Sequence, residues 1–225
     1  MSETDSFIDE VSEEVRRDQL YGVFKKYAWI AGGLVVLIVG AAAFNEWNKS
    51  NTRSTNQAAG DSILAALEND SGEERINALS ALEFEDAGKQ ALVKLQEAAL
   101  LVEEGRRDEA QAVYEVVAGL EEASPVYRDL AKLKLLVMAP DADGASALID
   151  ELAEPGRAFR LLAIEQRALA SIRAGDQDAA IADFSAILLD NQATADIRER
   201  AQRMIVVLGG EPPQTPRLIT PEGDG

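Results

Sequence analysis

The sequence predicts an all-α chain: a single N-terminal transmembrane helix followed by a solenoid of antiparallel helix pairs. Three observations lead there. Tyr27–Phe44 is one apolar run without a charged residue. Beyond it, apolar residues recur at three- and four-residue spacing in segment after segment, the signature of amphipathic helices. Within those segments a pattern of small and bulky residues returns after 35 positions.

Residues 1–26 form a leader. Phe7, Ile8, Val11 and Val15 recur at helical spacing, with Glu10, Glu13, Glu14, Arg16 and Arg17 on the other faces. The pattern predicts a short amphipathic helix that Ser6 or Asp5 can cap. Two readings stand side by side. One is a docking helix for a cytoplasmic partner or the membrane surface. The other is a solvated leader that becomes helical only near the membrane, since short isolated helices are marginal in water.

Residues 27–47 are expected to cross a membrane. A hydrocarbon core of about 30 Å needs about 20 apolar residues at roughly 1.5 Å each. Tyr27 and Trp29 at one end, and Phe44 and Trp47 at the other, match the interfacial preference of amphipathic rings. Arg16, Arg17, Lys25 and Lys26 precede the run, whereas Lys49 and Arg53 follow it. That bias places the N-terminus in the cytoplasm and the rest of the chain outside it. The alternative is a signal peptide cleaved near Ala41-Ala42-Ala43. Against it stand the long acidic leader and an apolar run longer than the usual signal core.

Residues 48–88 read as a juxtamembrane linker and a degenerate helix pair. Asn45–Gln57 is polar and either extends the membrane helix or links it onward. Ala58, Ile63, Leu64 and Leu67 mark a helix ending near Asn69. Asp70-Ser71-Gly72 reads as a turn. Ile76, Leu79 and Leu82 mark a second helix, and Phe84–Gly88 breaks the pattern.

Residues 89–209 carry the repeats. Gly105, Asp108, Ala110, Ala112 and Tyr114 superimpose on Gly175, Asp178, Ala180, Ala182 and Phe184 at an offset of 70. Halving the offset finds Asp143, Ala145, Ala147 and Ile149. Gly105 and Gly175 suit a left-handed turn at the end of the first helix of a pair. Asp108, Asp143 and Asp178 are expected to cap the second. Ala110, Ala145 and Ala180 let two helices approach, and Tyr114, Ile149 and Phe184 fill the space between pairs.

The predicted helices are Lys89–Glu104, Asp108–Leu120, Pro125–Met138, Asp143–Ala153, Arg157–Ala174, Asp178–Leu189 and Ala193–Leu208. Leu92, Leu95, Ala99 and Val102 mark the apolar face of the first, and Leu130, Leu133 and Val137 that of the third. Pro125, Pro140 and Pro155 fall at connections, where the missing N–H and the ring clash are tolerated. Helix pairs at this period form a tetratricopeptide-like α-solenoid, whose unit is about 34 residues. The alternative is a helical bundle without repeat symmetry, which the threefold register disfavours. Residues 210–225, with Pro212, Pro213, Pro216 and Pro221, read as a disordered tail.

Composition narrows the chemistry. There are 40 Asp and Glu against 22 Lys and Arg, a net charge of −18. Such a surface repels nucleic acid, which is held through cationic contacts to phosphate. Without His or Cys the chain lacks the commonest general base, thiolate chemistry and disulfides. Glu103 and Glu104 read as solvated surface. Asp141-Ala142-Asp143-Gly144 starts like a calcium loop but lacks the later ligands and the closing Glu, so it reads as a turn plus a cap. No phosphate cradle or nucleophile elbow occurs. The expectation is a protein-interaction module and no enzyme, with no catalytic, cofactor-binding or metal-binding residue, no cofactor and no small-molecule substrate. No residue is singled out as partner-binding.

The order of these parts resembles the YfgM-like family of ancillary Sec translocon subunits, in its alphaproteobacterial type. The resemblance rests on Phe7–Asp18, the basic pair Lys25-Lys26, the apolar run with Asn45-Glu46-Trp47, and the repeats. It implies a single-pass protein of the bacterial inner membrane, with the helical array in the periplasm. It implies proteins as partners, namely the Sec translocon and periplasmic chaperones. The same architecture serves a second reading, a scaffold or assembly factor for a cell-envelope complex in division or wall synthesis.

Overall fold

The computed structural model describes Val39 and residues 41–213. The leader (1–26), residues 27–38 and 40 of the expected membrane span, and residues 214–225 of the tail lie outside the described residues. Among the described residues the chain is helical with no strand. It divides into two units, Met1–Gly60 and Asp61–Gly225.

The boundary falls within the first helix, α1, over residues 41–67. In the first unit residues 41–58 are all exposed. Phe44 and Trp47 share a helix face with ring centroids 6.3 Å apart. The polar stretch 45–57 is helix. Thr52 and Thr55 return their hydroxyl protons to the Asn48 and Asn51 carbonyls, each at 2.9 Å. No helix among the described residues is long and apolar enough to cross a membrane.

The second unit holds α2 (Gly72–Ser80), α3 (Ala87–Glu103), α4 (Arg107–Ala118), α5 (Pro125–Met138), α6 (Ala145–Leu152), α7 (Arg160–Arg173), α8 (Gln177–Leu189) and α9 (Ala195–Val207). Each packs on the next from α2 to α9. Their starts have local causes. Ser71 and Glu74 form a capping box on α2. Asp86 caps α3 by accepting from the Lys89 N–H at 2.9 Å. Pro125 opens α5 at the position where an N–H has no intrahelical partner.

The turns at Gly105 and Gly175 are as expected. Both are left-handed, at φ 77° and 80°. The Arg106 N–H donates to the Leu101 carbonyl at 2.8 Å and the Gly105 N–H to Val102 at 3.1 Å. Asp176 and Gly175 repeat the pattern onto Ser171 and Ile172, and Gly210 and Gly209 onto Ile205 and Val206. This pair of hydrogen bonds satisfies carbonyls in the last turns of α3, α7 and α9.

The middle pair departs from this. Pro140 stands where Gly105 and Gly175 would repeat. It has no N–H to donate, and its ring forbids positive φ. The turn opens, and a left-handed residue appears only at Gly144, φ 87°. Accordingly α6 has eight residues, against 12 in α4 and 13 in α8.

The caps expected at Asp108, Asp143 and Asp178 are corrected. The turn at Gly105-Arg106 feeds directly into α4, so Asp108 lies inside its first turn and Arg106 occupies the cap position without a side-chain bond. Asp178 likewise lies in the first turn of α8, and Asp176 is the cap, accepting from the Ala179 N–H at 2.9 Å. Both inner aspartates still face the positive end of the helix dipole. Gly144 precedes α6, and Asp143 makes no cap bond.

The core follows the repeat. Ala110, Ala180, Val117 and Phe184 are fully enclosed, as nearly are Tyr114, Ile149 and Ala145. Burial pushes the Tyr114 hydroxyl pKa up. One cluster runs from Ala66, Ile76 and Leu79 through Leu101 and Tyr114 to Ala131. Another joins Ala168, Phe184, Ile187 and Ile205. Between them the middle pair holds two small clusters, Leu133–Leu152–Ala163 and Leu136–Ala145–Ile149.

Candidate functional site

The first helices of successive pairs, α3, α5 and α7, touch one another directly, in addition to the helices next to them in sequence. Among the described residues no comparable contact joins α4 to α6 or α6 to α8. Within the second unit, first helices therefore form the inner layer and second helices the outer one, the curvature of a solenoid.

Residues spaced three and four apart along one face of each first helix line that inner layer. On α3 they are Leu92, Leu95, Ala99 and Val102. Moving on by 35 residues reaches Tyr127, Leu130, Lys134 and Val137 on α5, then Leu162, Glu165, Leu169 and Ile172 on α7. On α9 the set is Ile197, Arg200, Met204 and Val207. All but Lys134, Glu165 and Arg200 are apolar. The last position forms a row across the four helices: Val102, Val137, Ile172 and Val207, with Val137 52% and Val207 77% exposed. Leu92 is exposed as well.

This corrects the expected core face. Leu95 and Leu133 are buried as the periodicity indicated, but Leu92, Val102 and Val137 are exposed. The buried side of α3 instead carries Ala91, Val93, Ala98 and Leu101, because α2, α4 and α5 all pack on it. A helix enclosed on several sides is apolar nearly all round, so spacing alone does not separate its core from its open face. The 35-residue recurrence does not separate them either, because buried positions such as Ala98, Leu133 and Ala168 recur at the same period.

Between α7 and α9 the inner face deepens into a cavity of about 310 Å³, where Leu162, Ile197 and Arg200 meet Phe159 and Arg160. Its cations are already neutralised. Arg200 grips Glu165 with two bonds, at 2.8 and 2.9 Å, from the equivalent position one repeat on. That carboxylate holds the Arg200 pKa above its ordinary value. Arg160 pairs with Asp190, whose pKa its hydrogen bond lowers. A second cavity of about 560 Å³ opens beside the shortened α6, between Ala145 and Ile149 on one side and Ala170, Arg173 and Ala174 on the other.

Charge holds the middle pair. Asp129 on α5 is 3% exposed. Arg157, in the connection before α7, donates to Asp129 at 3.0 Å and to Glu151 at 3.2 Å. Lys132 reaches the same Glu151 oxygen at 2.6 Å. The Lys132 hydrogen bond, with added attraction from Lys132 and Arg157, lowers the Glu151 pKa.

No group of three or more His, Cys, Asp or Glu suited to a metal ion occurs among the described residues. Glu103 and Glu104 are exposed, and Asp141 accepts from Arg173 at 2.9 Å.

Repeated helix pairs with a largely exposed aliphatic row on the inner layer define a helical-repeat module of the kind that commonly mediates protein interactions. The chain belongs to the tetratricopeptide repeat-like domain family, which matches residues 23–206. No curated protein and no solved structure matches it.

Proposed function

We propose that this chain is a membrane-tethered periplasmic interaction module, an ancillary subunit of the Sec translocon that links it to periplasmic chaperones. The observation that carries the reading is the aliphatic row Val102–Val137–Ile172–Val207 on the inner face of a tetratricopeptide-like array, exposed at Val102, Val137 and Val207 and half-buried at Ile172. An apolar row of this kind suits an extended or helical segment of another protein. Membrane tethering is supported by the uncharged run Tyr27–Phe44 behind Lys25-Lys26. The tether confines the groove to one membrane face and raises its effective concentration near emerging chains. The translocon and chaperone partners rest on the resemblance of the leader, the basic pair and the repeats to the YfgM-like family.

Photocrosslinking from position 137 in intact membranes tests the proposal. Translocon or chaperone components in the crosslinked product are the expected result. Recovery of division or wall-synthesis components instead would transfer the chain to the envelope-scaffold reading. Labelling confined to the cytoplasmic side would refute the orientation.

A further inference from the structure

The inner face is apolar apart from Lys134, Glu165 and Arg200, although the chain is strongly acidic, and exposed acids stand at its borders as well as on the second helices. Connections from a second helix lead into the start of each next first helix, and connections from a first to a second helix leave from its end, so the two sets border opposite ends of the first helices. The first edge carries Glu85, Glu121 and Glu122, and the second Glu103, Glu104 and Asp141, all exposed. Of the arginines near these edges, Arg106 is held by Glu73 and Glu109, Arg173 by Asp141, Arg157 by Asp129 and Glu151, and Arg160 by Asp190, while Arg107 stands exposed on the second edge. An apolar strip between two anionic borders is complementary to an apolar segment with cationic flanks.

We infer that the groove selects polypeptide segments whose aliphatic core is flanked by Lys or Arg. This rests on the groove reading above and adds its selectivity. The aliphatic row supplies affinity by burying apolar surface. The acidic borders attract cationic flanks over several ångströms and repel acidic ones, so they act mainly on partner choice and encounter rate. Because the borders are solvent-exposed, salt screens them while leaving the apolar contact intact.

The test uses the purified full-length chain and two fluorescent peptides with one Leu/Val core, one with paired Lys at each end and one with paired Glu. The Lys-flanked peptide is expected to bind roughly tenfold more tightly at low salt. In high salt the advantage falls to about threefold or less. Glu121→Lys combined with Glu122→Lys removes most of the advantage without changing the melting curve, and Val137→Asp weakens both peptides. Equal binding of the two peptides, with Val137→Asp weakening both, overturns the charge selection and leaves the groove standing. Failure of both peptides to bind, or indifference of both to Val137→Asp, overturns the groove together with the inference.

Discussion

The middle helix pair and its two neighbours solve the same packing problem by different means. In α3–α4 and α7–α8 a left-handed glycine closes the turn, and Tyr114 or Phe184 fills a continuous core. In α5–α6 a proline occupies the turn, Ile149 replaces the ring, and the core splits in two. There Arg157 bridges Asp129 and Glu151, while Lys132 shares Glu151. In the middle pair these ion pairs stand in for the missing backbone motif, whereas between α7 and α8 the Arg167–Asp183 pair adds to an unbroken core. Such pairs are weak on a surface but consequential when one partner is buried, because an abandoned buried charge is costly.

The sharpest way to break the comparison is to truncate equivalent core positions. Phe184→Ala is expected to cost about 3–5 kcal/mol, and Ile149→Ala nearer 2 kcal/mol, in chemical denaturation. A larger loss at Ile149 would mean that the split core carries more than its size implies. Next comes Arg157→Ala, which strands Asp129 in a site where it is 3% exposed. A loss of about 1–3 kcal/mol is expected. Arg106→Ala, whose pairs are open to solvent, should leave the denaturation midpoint nearly unchanged.

Gly105→Ala and Gly175→Ala probe the flanking turns. Nothing lies within 4 Å of either added Cβ, so the cost is that of the left-handed backbone alone. It should be about 1 kcal/mol at each site, read as a shift in the thermal midpoint.

The smallest effect is on acid stability. The folded-state pKa of Glu151 lies below its ordinary value of 4.5. Its contribution is therefore complete above about pH 4.5 and is lost as pH falls through the lowered folded value. Denaturation midpoints should decline on acidification in this range, and Glu151→Gln should flatten the decline by less than about 1 kcal/mol. A variant as acid-sensitive as the parent would assign the decline to other carboxylates.

Much of the array was legible because its signals are local. Pro125–Met138 has the predicted bounds, since a proline at the start and Pro140 beyond the end bracket it. Gly105 and Gly175 announced their turns by residue type. Caps were less legible: Asp108 and Asp178 sit two positions beyond the cap residues Arg106 and Asp176, and a carboxylate suits both cap and first turn. The inner face is present in the sequence as Leu92, Val102 and Val137, yet periodicity assigns these residues to the core because both faces of an enclosed helix are apolar. Of the ion network, Arg157 and Asp129 are 28 residues apart, and neither spacing nor residue type pairs them, whereas Arg200 and Glu165 are one 35-residue period apart and of opposite charge, so the repeat does point to that pair.

The shortened α6 has a mechanical consequence. Helix pairs stacked in a line bear load in series, and elements in series stretch first where they are most compliant. Between α7 and α9 the Arg200–Glu165 bridge pins neighbouring first helices, and α7–α8 shares an unbroken core. The pair α5–α6 has a divided core, an open turn and a vacant wedge of about 560 Å³ beside it. A pull between the two ends of the array would yield there first. The four-helix row would part between Val137 and Ile172 before either end came undone.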